Sequence, residues 1–307
     1  MSELNSSNNP VKGIDRPFRI LVDHGGYEFR NMGDVGMLQA LVERIQEYLP
    51  NSQFFIFARE PRRLNLYCRD AVPVSVEGRE IWLQERNLFG ALYRVCPRPL
   101  ETRLAHYEAD LRVHHVSWAA RRIERRLGKR GVNVTSMREF LAGVLGADAL
   151  VVAGGSFFTD AFAWQADRIL ETIRLTARLQ KPVGLFGQGL GPLESPLLLH
   201  KLWESIQAAR VLALREETRS RALLRQIGTA EDTAVFTGDD TVELAYREKK
   251  ETLGEALGVN MRFARYSGVT LREVGEVRRT LAFFARRVKA PVYGIPISRH
   301  AGDSDVA

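Results

Sequence analysis

Short apolar runs and amphipathic stretches alternate along this chain, and glycine marks most of the changes from one to the other. Ala149–Ala153 is continuously apolar, as expected of a strand buried on both faces of a parallel sheet. Gly154, Gly155 and Ser156 follow, with Asp160 beyond them, and a helical pattern resumes at Ala161 and runs toward Leu179. The chain begins with the same rhythm. Phe18–Asp23 reads as a strand, and His24–Asp34 as a loop carrying Gly25, Gly26 and Gly33. Val35, Leu38, Leu41, Val42 and Ile45 then fall at helical spacing up to Leu49-Pro50, with Asp34 placed as an N-cap or first-turn acid. Gln53–Ala58 reads as a second strand.

The stretch Glu60–Arg130 is less regular. Its pattern predicts a short strand within Leu64–Val76 and a helix over Ile81–Val95. From Ser136 the rhythm returns, with a helix over Met137–Leu145 before the apolar run. After the long helix, Lys181–Pro192 reads as a strand ending in Gly187, Gln188, Gly189 and Gly191. A helix from Pro196 turns Leu199, Leu202, Trp203 and Ile206 inward. Arg210–Leu214 is a strand that delivers Arg215. Helix Glu217–Ile227 is stopped by Gly228, and strand Ala234–Asp240 ends in Asp239 and Asp240. Strands alternating with helices in this way build a parallel, doubly wound sheet. Gly25, Gly26, Gly154, Gly155, Gly187, Gly189, Arg215 and Asp239 all stand just past strand ends. They should gather along the carboxyl edge, where open α/β sheets bind ligands and helix N-termini favour anions. Plain turns and flexible loops use glycine as well.

A length of 307 residues suits two domains. The expected division is a polar lead-in over residues 1–17, a Rossmann-like domain over 18–248 and a second α/β domain over 255–307. Lys and Arg number 44 against 37 Asp and Glu, a net charge of +7 that suits acidic substrates, an anionic membrane surface or nucleic acid. The basic run Arg121–Arg130 reads as a solvated helix face or as a contact for anionic lipid headgroups. Nucleic acid ranks lower, because no aromatic platform interleaves with the basic residues. His114 and His115 are adjacent and cannot share a helix face, so no metal site is expected there. The two cysteines, Cys68 and Cys96, lack CxxC spacing, which points to a reducing cytoplasm. No apolar run approaches the ~20 residues that span a membrane. The glycines of the first loop do not fit GxGxxG, which argues against a nicotinamide oxidoreductase.

Taken in order, these residues resemble the polysaccharide pyruvyl transferase family. The match rests on Gly33-Asp34 closing a glycine-rich loop, the Gly154-Gly155-Ser156 turn with Asp160, and Gln188 within Gly187–Pro192. It continues through Arg215-Glu216, Ser220, Gly228 and Asp239, and the strand Leu257–Arg262 is similar to the one that opens that family's second domain. The resemblance implies a glycosyltransferase-B-like, two-domain architecture. It implies transfer of pyruvate from phosphoenolpyruvate to a sugar as a ketal, with no further cofactor, in the cytoplasm or at the inner face of the membrane. The acceptor would be a sugar or a lipid-linked oligosaccharide of a surface polysaccharide or glycoconjugate. Arg215 suits the donor's carboxylate or phosphate through its two-pronged fork, with Arg262 facing it from the second domain. Asp34 or Asp160 would orient or deprotonate the acceptor hydroxyl, although both also suit helix caps. Gly25, Gly26, Gly33, Gly154, Gly155, Ser156, Gln188, Gly189 and Asp239 would line the substrate site. The family's Arg-Leu-His motif is absent from this sequence. His300 falls on a loop away from the motif's position, so the second domain is expected to be incomplete and catalysis poor. A sugar-nucleotide glycosyltransferase of the same architecture, or a non-catalytic glycan- or membrane-binding remnant, would fit the same pattern.

Overall fold

The computed structural model describes residues 16–84, 86–90, 92–252, 254–264, 269–300 and 303–305. The expected lead-in over residues 1–17 lies almost wholly outside them. Eight strands form the main sheet: β1 (Phe18–Asp23), β2 (Ser52–Ala58), β3 (Val72–Ser75), β4 (Ala149–Val152), β5 (Gly155–Phe158), β6 (Val183–Leu190), β7 (Val211–Leu214) and β8 (Val235–Phe236). Their order is β3-β2-β1-β4-β6-β7-β8, with β5 also paired to β6, and every pairing is parallel. The strands that end at Asp23, Val152 and Leu214 therefore release their chains on one edge. The architecture is α/β around a parallel, Rossmann-like sheet.

Alternation along the strands divides the core into two layers. Leu21, Leu150 and Val152 face a cluster with Phe140, Ile169, Leu170 and Leu202 from the helices on one side. Ile20, Val22 and Val151 face Leu38, Leu41 and Leu64 on the other. With period-2 side chains and helices on both faces, the strands read as unbroken apolar runs. On the first face helices Val76–Leu83 and Thr135–Gly146 pack closely at Gly78, where a Cβ would lie 1.9 Å from the Ser136 carbonyl oxygen.

Several elements differ from the sequence expectations. The Gly154-Gly155 turn does not enter a helix; the chain first forms β5, burying Phe157 and Phe158, and helix Ala163–Arg178 begins only after a 3-10 turn at Asp160–Phe162. The neighbouring strand β6 runs through Gly187 and Gly189 to Leu190. Gly187 has φ +61 and lies where the register with β7 shifts, so it is a bulge within a strand rather than a strand end. The helix expected over Ile81–Val95 spans Val76–Leu83 instead; Arg86 at φ +69 lies beyond its end. Leu64–Val76 divides between helix Pro61–Tyr67 and β3. Asn31, not Asp34, caps helix Met32–Tyr48, which leaves Asp34 in its first turn.

The remaining strands are short. β9 (Leu257–Val259) pairs with β11 (Val292–Gly294) in parallel, while β10 (Arg262–Ala264), β13 (Asp303–Asp305) and β12 (Arg299–His300) form an antiparallel trio. The strand expected over Leu257–Arg262 is thus broken in two, and His300 lies in a strand rather than a loop. Helix Leu271–Val288 opens on a capping box between Thr270 and Glu273 and buries none of its residues. The segment around Ser298 docks back onto the first loop. The Met32 N–H donates to the Ile297 carbonyl at 2.8 Å and the Arg299 N–H to the Arg30 carbonyl at 3.0 Å, flanking an Asn31–Ser298 bridge. Among the described residues no helix is long and apolar enough to cross a membrane.

Candidate active site

The glycine loop after β1 rests on a buried polar cluster that sequence reading missed. Asp23 and Arg79 are both fully buried, and the guanidinium reaches the carboxylate at 2.7 Å. Tyr27 donates its hydroxyl to the same carboxylate at 2.8 Å, and the Gly25 N–H approaches it at 3.3 Å. Arg79 is sandwiched between the Tyr27 and Phe57 rings, 4.8 Å from each centroid. His24 is also fully buried, with Nε2 donating to the Phe57 carbonyl at 3.0 Å and Nδ1 lacking a hydrogen-bond partner. Burial lowers its pKa to about 4, and Arg79 adds to the effect, so the ring is neutral at physiological pH. These groups fix the loop. Gly25 has φ +66 and lies against the Phe157 ring, with a Cβ 2.4 Å from its edge, so glycine is required there twice over. The Gln165 amide holds the Gly25 carbonyl at 2.5 Å.

Above this floor opens a cleft of about 770 Å³ at the carboxyl edge of the sheet. Gly25, Gly26, Gly33, Asp34, Ser156, Arg215, Asp239 and Arg262, all expected in the site, line it together. Gly26 lets the loop approach the first turn of helix Met32–Tyr48, since a Cβ there would stand 2.8 Å from the Asp34 Cβ. Arg215 follows β7 and is about a quarter exposed. It donates to the Ser156 hydroxyl and lies 3.5 Å from Asp239, whose other oxygen accepts from the Thr241 hydroxyl at 2.6 Å. Arg262 approaches from the other rim, where it reaches the Ser298 hydroxyl at 3.4 Å.

The remaining expected residues lie elsewhere. Asp160 is not at the cleft: its carboxylate accepts the N–H groups of Glu194 at 2.7 Å and Ser195 at 3.4 Å, tying down the loop before helix Pro196–Ala208. Gln188 is fully buried beneath the site, its amide bridging the Val152, Ala153 and Phe186 carbonyls. Gly154 and Gly155 are packed against Met37 and Phe157, where close approach excludes a side chain. Gly189 faces a small hollow behind Ser156 and Arg215.

The cleft also holds groups that were not anticipated. Arg59 follows β2 on the same edge, and its side chain makes no salt bridge among the described residues. It was findable by the rule that singled out Arg215, a cation immediately beyond a strand. Phe157, Phe162 and Trp164 give one wall an aromatic surface, and Trp164 is half exposed. Trp164 and Gln165 fall on a helix read only for its extent, so nothing in the spacing marked them. Among the described residues no group of three or more His, Cys, Asp and Glu side chains could hold a metal ion. The cleft therefore offers three guanidinium groups, the three carboxylates of Glu28, Asp34 and Asp239, and an aromatic wall. That set suits a compact polyanion beside a polyhydroxylated ring.

No curated protein and no solved structure shows significant similarity to the chain. The family model described as polysaccharide pyruvyl transferase matches residues 31–306, from the cap of the first helix to within one residue of the end. With its sheet, its cleft and this match, the chain belongs to the polysaccharide pyruvyl transferase family.

Proposed function

We propose that the chain transfers the pyruvyl group of phosphoenolpyruvate to two hydroxyls of a sugar, forming a ketal, within a glycosyltransferase-B-like arrangement of its two parts. The observation that carries this reading is the convergence of Arg59, Arg215 and Arg262 on one cleft beside the aromatic wall. Phosphoenolpyruvate presents a carboxylate and a phosphate on adjacent atoms, so forked, permanently charged donors suit it better than a single ammonium. Protonation of its methylene carbon generates an electron-poor C2. One sugar hydroxyl adds there and loses its proton, phosphate departs, and the second hydroxyl closes the ring and loses its own. Of the two protons released, one balances the proton taken up by carbon and the other leaves on phosphate.

Arg215 is assigned to the donor anion, steered by Ser156 and Asp239. Asp34 stands at the glycine loop as the group that orients or deprotonates the acceptor hydroxyl. Trp164 and Phe162 offer the sugar an apolar face to lie against. The test is incubation with phosphoenolpyruvate and either a β-galactoside or an N-acetylmannosamine-bearing acceptor, followed by mass spectrometry and phosphate assay. The expected product has gained one pyruvate less one water, with stoichiometric phosphate. Stabilisation by nucleoside diphosphates and not by phosphoenolpyruvate would instead assign the cleft to a sugar nucleotide.

A further inference from the structure

Far from the glycine loop in sequence, helix Val116–Gly128 buries Ala119, Ile123 and Leu127 along one stripe and turns its basic residues outward. With Leu88, Phe89, Gly90 and Leu92 it walls a groove of about 620 Å³, where Phe89, Leu92 and Trp118 lie beside Arg121, Arg125 and Arg126. Two features set this surface apart from an ordinary solvated helix. First, its positive charge is not neutralised from within. Burial lowers the pKa of Arg126, and repulsion from Arg130, Arg94 and Arg122 lowers it further against the opposing pull of Glu108. The nearby acids are already engaged: Glu108 with Arg112, Glu101 with Arg86, and Glu124 with Arg138. Second, large apolar side chains are exposed beside the charges. Val95 is 78% exposed, Tyr107 57%, Leu92 50% and Trp118 43%. Phe89 stacks on Tyr107 and meets Trp118 at a tilt, and Arg122 lies over both Phe89 and Trp118. The basic run is therefore interleaved with aromatic residues, contrary to the sequence expectation. The partners come from the preceding loop and helices, which fold back onto it.

We infer that this face docks the protein on an anionic bilayer, with Arg121, Arg122, Arg125, Arg126 and Lys129 at the lipid headgroups and Leu92, Val95 and Trp118 in the interface. Charge complementarity selects the partner. Uncompensated cations draw the surface to acidic headgroups, aromatic rings settle at the headgroup level, and exposed aliphatic side chains gain only where an apolar phase lies beneath. A soluble polyanion would use the cations and leave Leu92 and Val95 in water. Because the arginine over Phe89 and Trp118 already occupies ring faces, base stacking is the poorer fit.

The test is vesicle flotation of the whole chain with phosphatidylcholine vesicles containing increasing phosphatidylglycerol. Binding should rise with phosphatidylglycerol and fall with added salt. Arg121→Glu/Arg125→Glu, at two exposed positions with no internal partner among the described residues, should weaken binding by at least ~25-fold, about fivefold for each lost charge. Leu92→Ser/Trp118→Ser should weaken it as well, while circular dichroism of both variants matches the parent. Binding equal to that of pure phosphatidylcholine vesicles, or unchanged in the charge-reversed variant, would overturn the inference. So would single-stranded nucleic acid or heparin binding more tightly than the vesicles with no loss in the Leu92→Ser/Trp118→Ser variant, which would make the partner a soluble polyanion.

Discussion

At about pH 5 an unfolded chain carries a proton on His24 that the folded chain refuses. The imidazole's ordinary pKa is 6.5, and burial in the folded protein lowers it to about 4. Nε2 is committed to the Phe57 carbonyl, while Nδ1 faces no acceptor and would gain its proton near Arg79. Asp23 pulls the other way, but its carboxylate is already shared by Arg79 and Tyr27. Between these two values the unfolded state binds more protons than the folded one, so stability rises with pH and is lost as pH falls from 6.5 toward 4. From the two pKa values, folding loses about 2 kcal/mol between pH 7.5 and pH 5, and about 3 kcal/mol once pH is below 4. Other groups titrate nearby. The raised Glu80 and Asp240 act in the opposite sense, and the lowered Glu171 and Asp148 contribute mainly below the ordinary carboxylate range. Comparison with His24→Gln cancels them, because glutamine places an amide donor near the Phe57 carbonyl and does not titrate. Urea unfolding at pH 5 and pH 7.5 should show the parent losing about 2 kcal/mol more than the variant. Equal losses in the two proteins would show that His24 takes up its proton freely, and that its packing against Phe29 and Tyr27 is looser than the structure has it.

Three further outcomes follow from the same geometry. Arg79→Met keeps the packing between the Tyr27 and Phe57 rings but strands a buried carboxylate, so unfolding free energy should fall by about 3–5 kcal/mol; a loss below 1 kcal/mol in a urea titration would count against the pair. Arg215→Lys keeps the charge and loses the fork to Ser156 and Asp239, so pyruvyl transfer should slow by about one to two decades at unchanged melting temperature; unchanged turnover would remove Arg215 from the anion site. Asp160→Asn keeps an acceptor for the Glu194 and Ser195 amides, so turnover should stay within about twofold while Asp160→Ala loses about 1 kcal/mol of stability; a collapse of turnover in Asp160→Asn would return Asp160 to the chemistry.

The sheet was legible because its strands are buried on both faces. Leu21 needs one apolar layer and Ile20 and Val22 the other, so the runs are continuous and their ends conspicuous. Positions just beyond those ends could be named from spacing alone, which is why Gly25, Gly26, Arg215 and Asp239 lie together. Legibility failed where tertiary contacts override local pattern. Gly155 to Phe158 extends because β6 offers it an edge after the Gly187 bulge, and no residue in that stretch announces the pairing. Arg79 lies 56 positions from Asp23 and stands in an amphipathic stretch, where a charged residue is ordinarily solvent-facing. Asp160 misled because a carboxylate after a glycine turn can serve a ligand or a backbone N–H, and only the path of the loop before Pro196 distinguishes the two.

The three arginines of the cleft reach it by different routes, and the routes differ in rigidity. Arg59 and Arg215 are anchored at the ends of β2 and β7, and the Arg215 N–H is hydrogen-bonded to the Gln188 carbonyl at 3.0 Å. Arg262 instead opens the short β10 and meets Ser298, itself buried where the segment around Ile297 crosses the first loop. That crossing also occupies the Met32 N–H, at the very start of the helix whose first turn carries Asp34. The placement of Arg262, the cap of the first helix and the rim of the cleft are therefore one mechanical unit. Electrostatic stabilisation depends on donors already aimed when charge develops. Beyond Leu257 the described chain meets the cleft through Arg262 and Ile297, next to the bridge between Asn31 and Ser298.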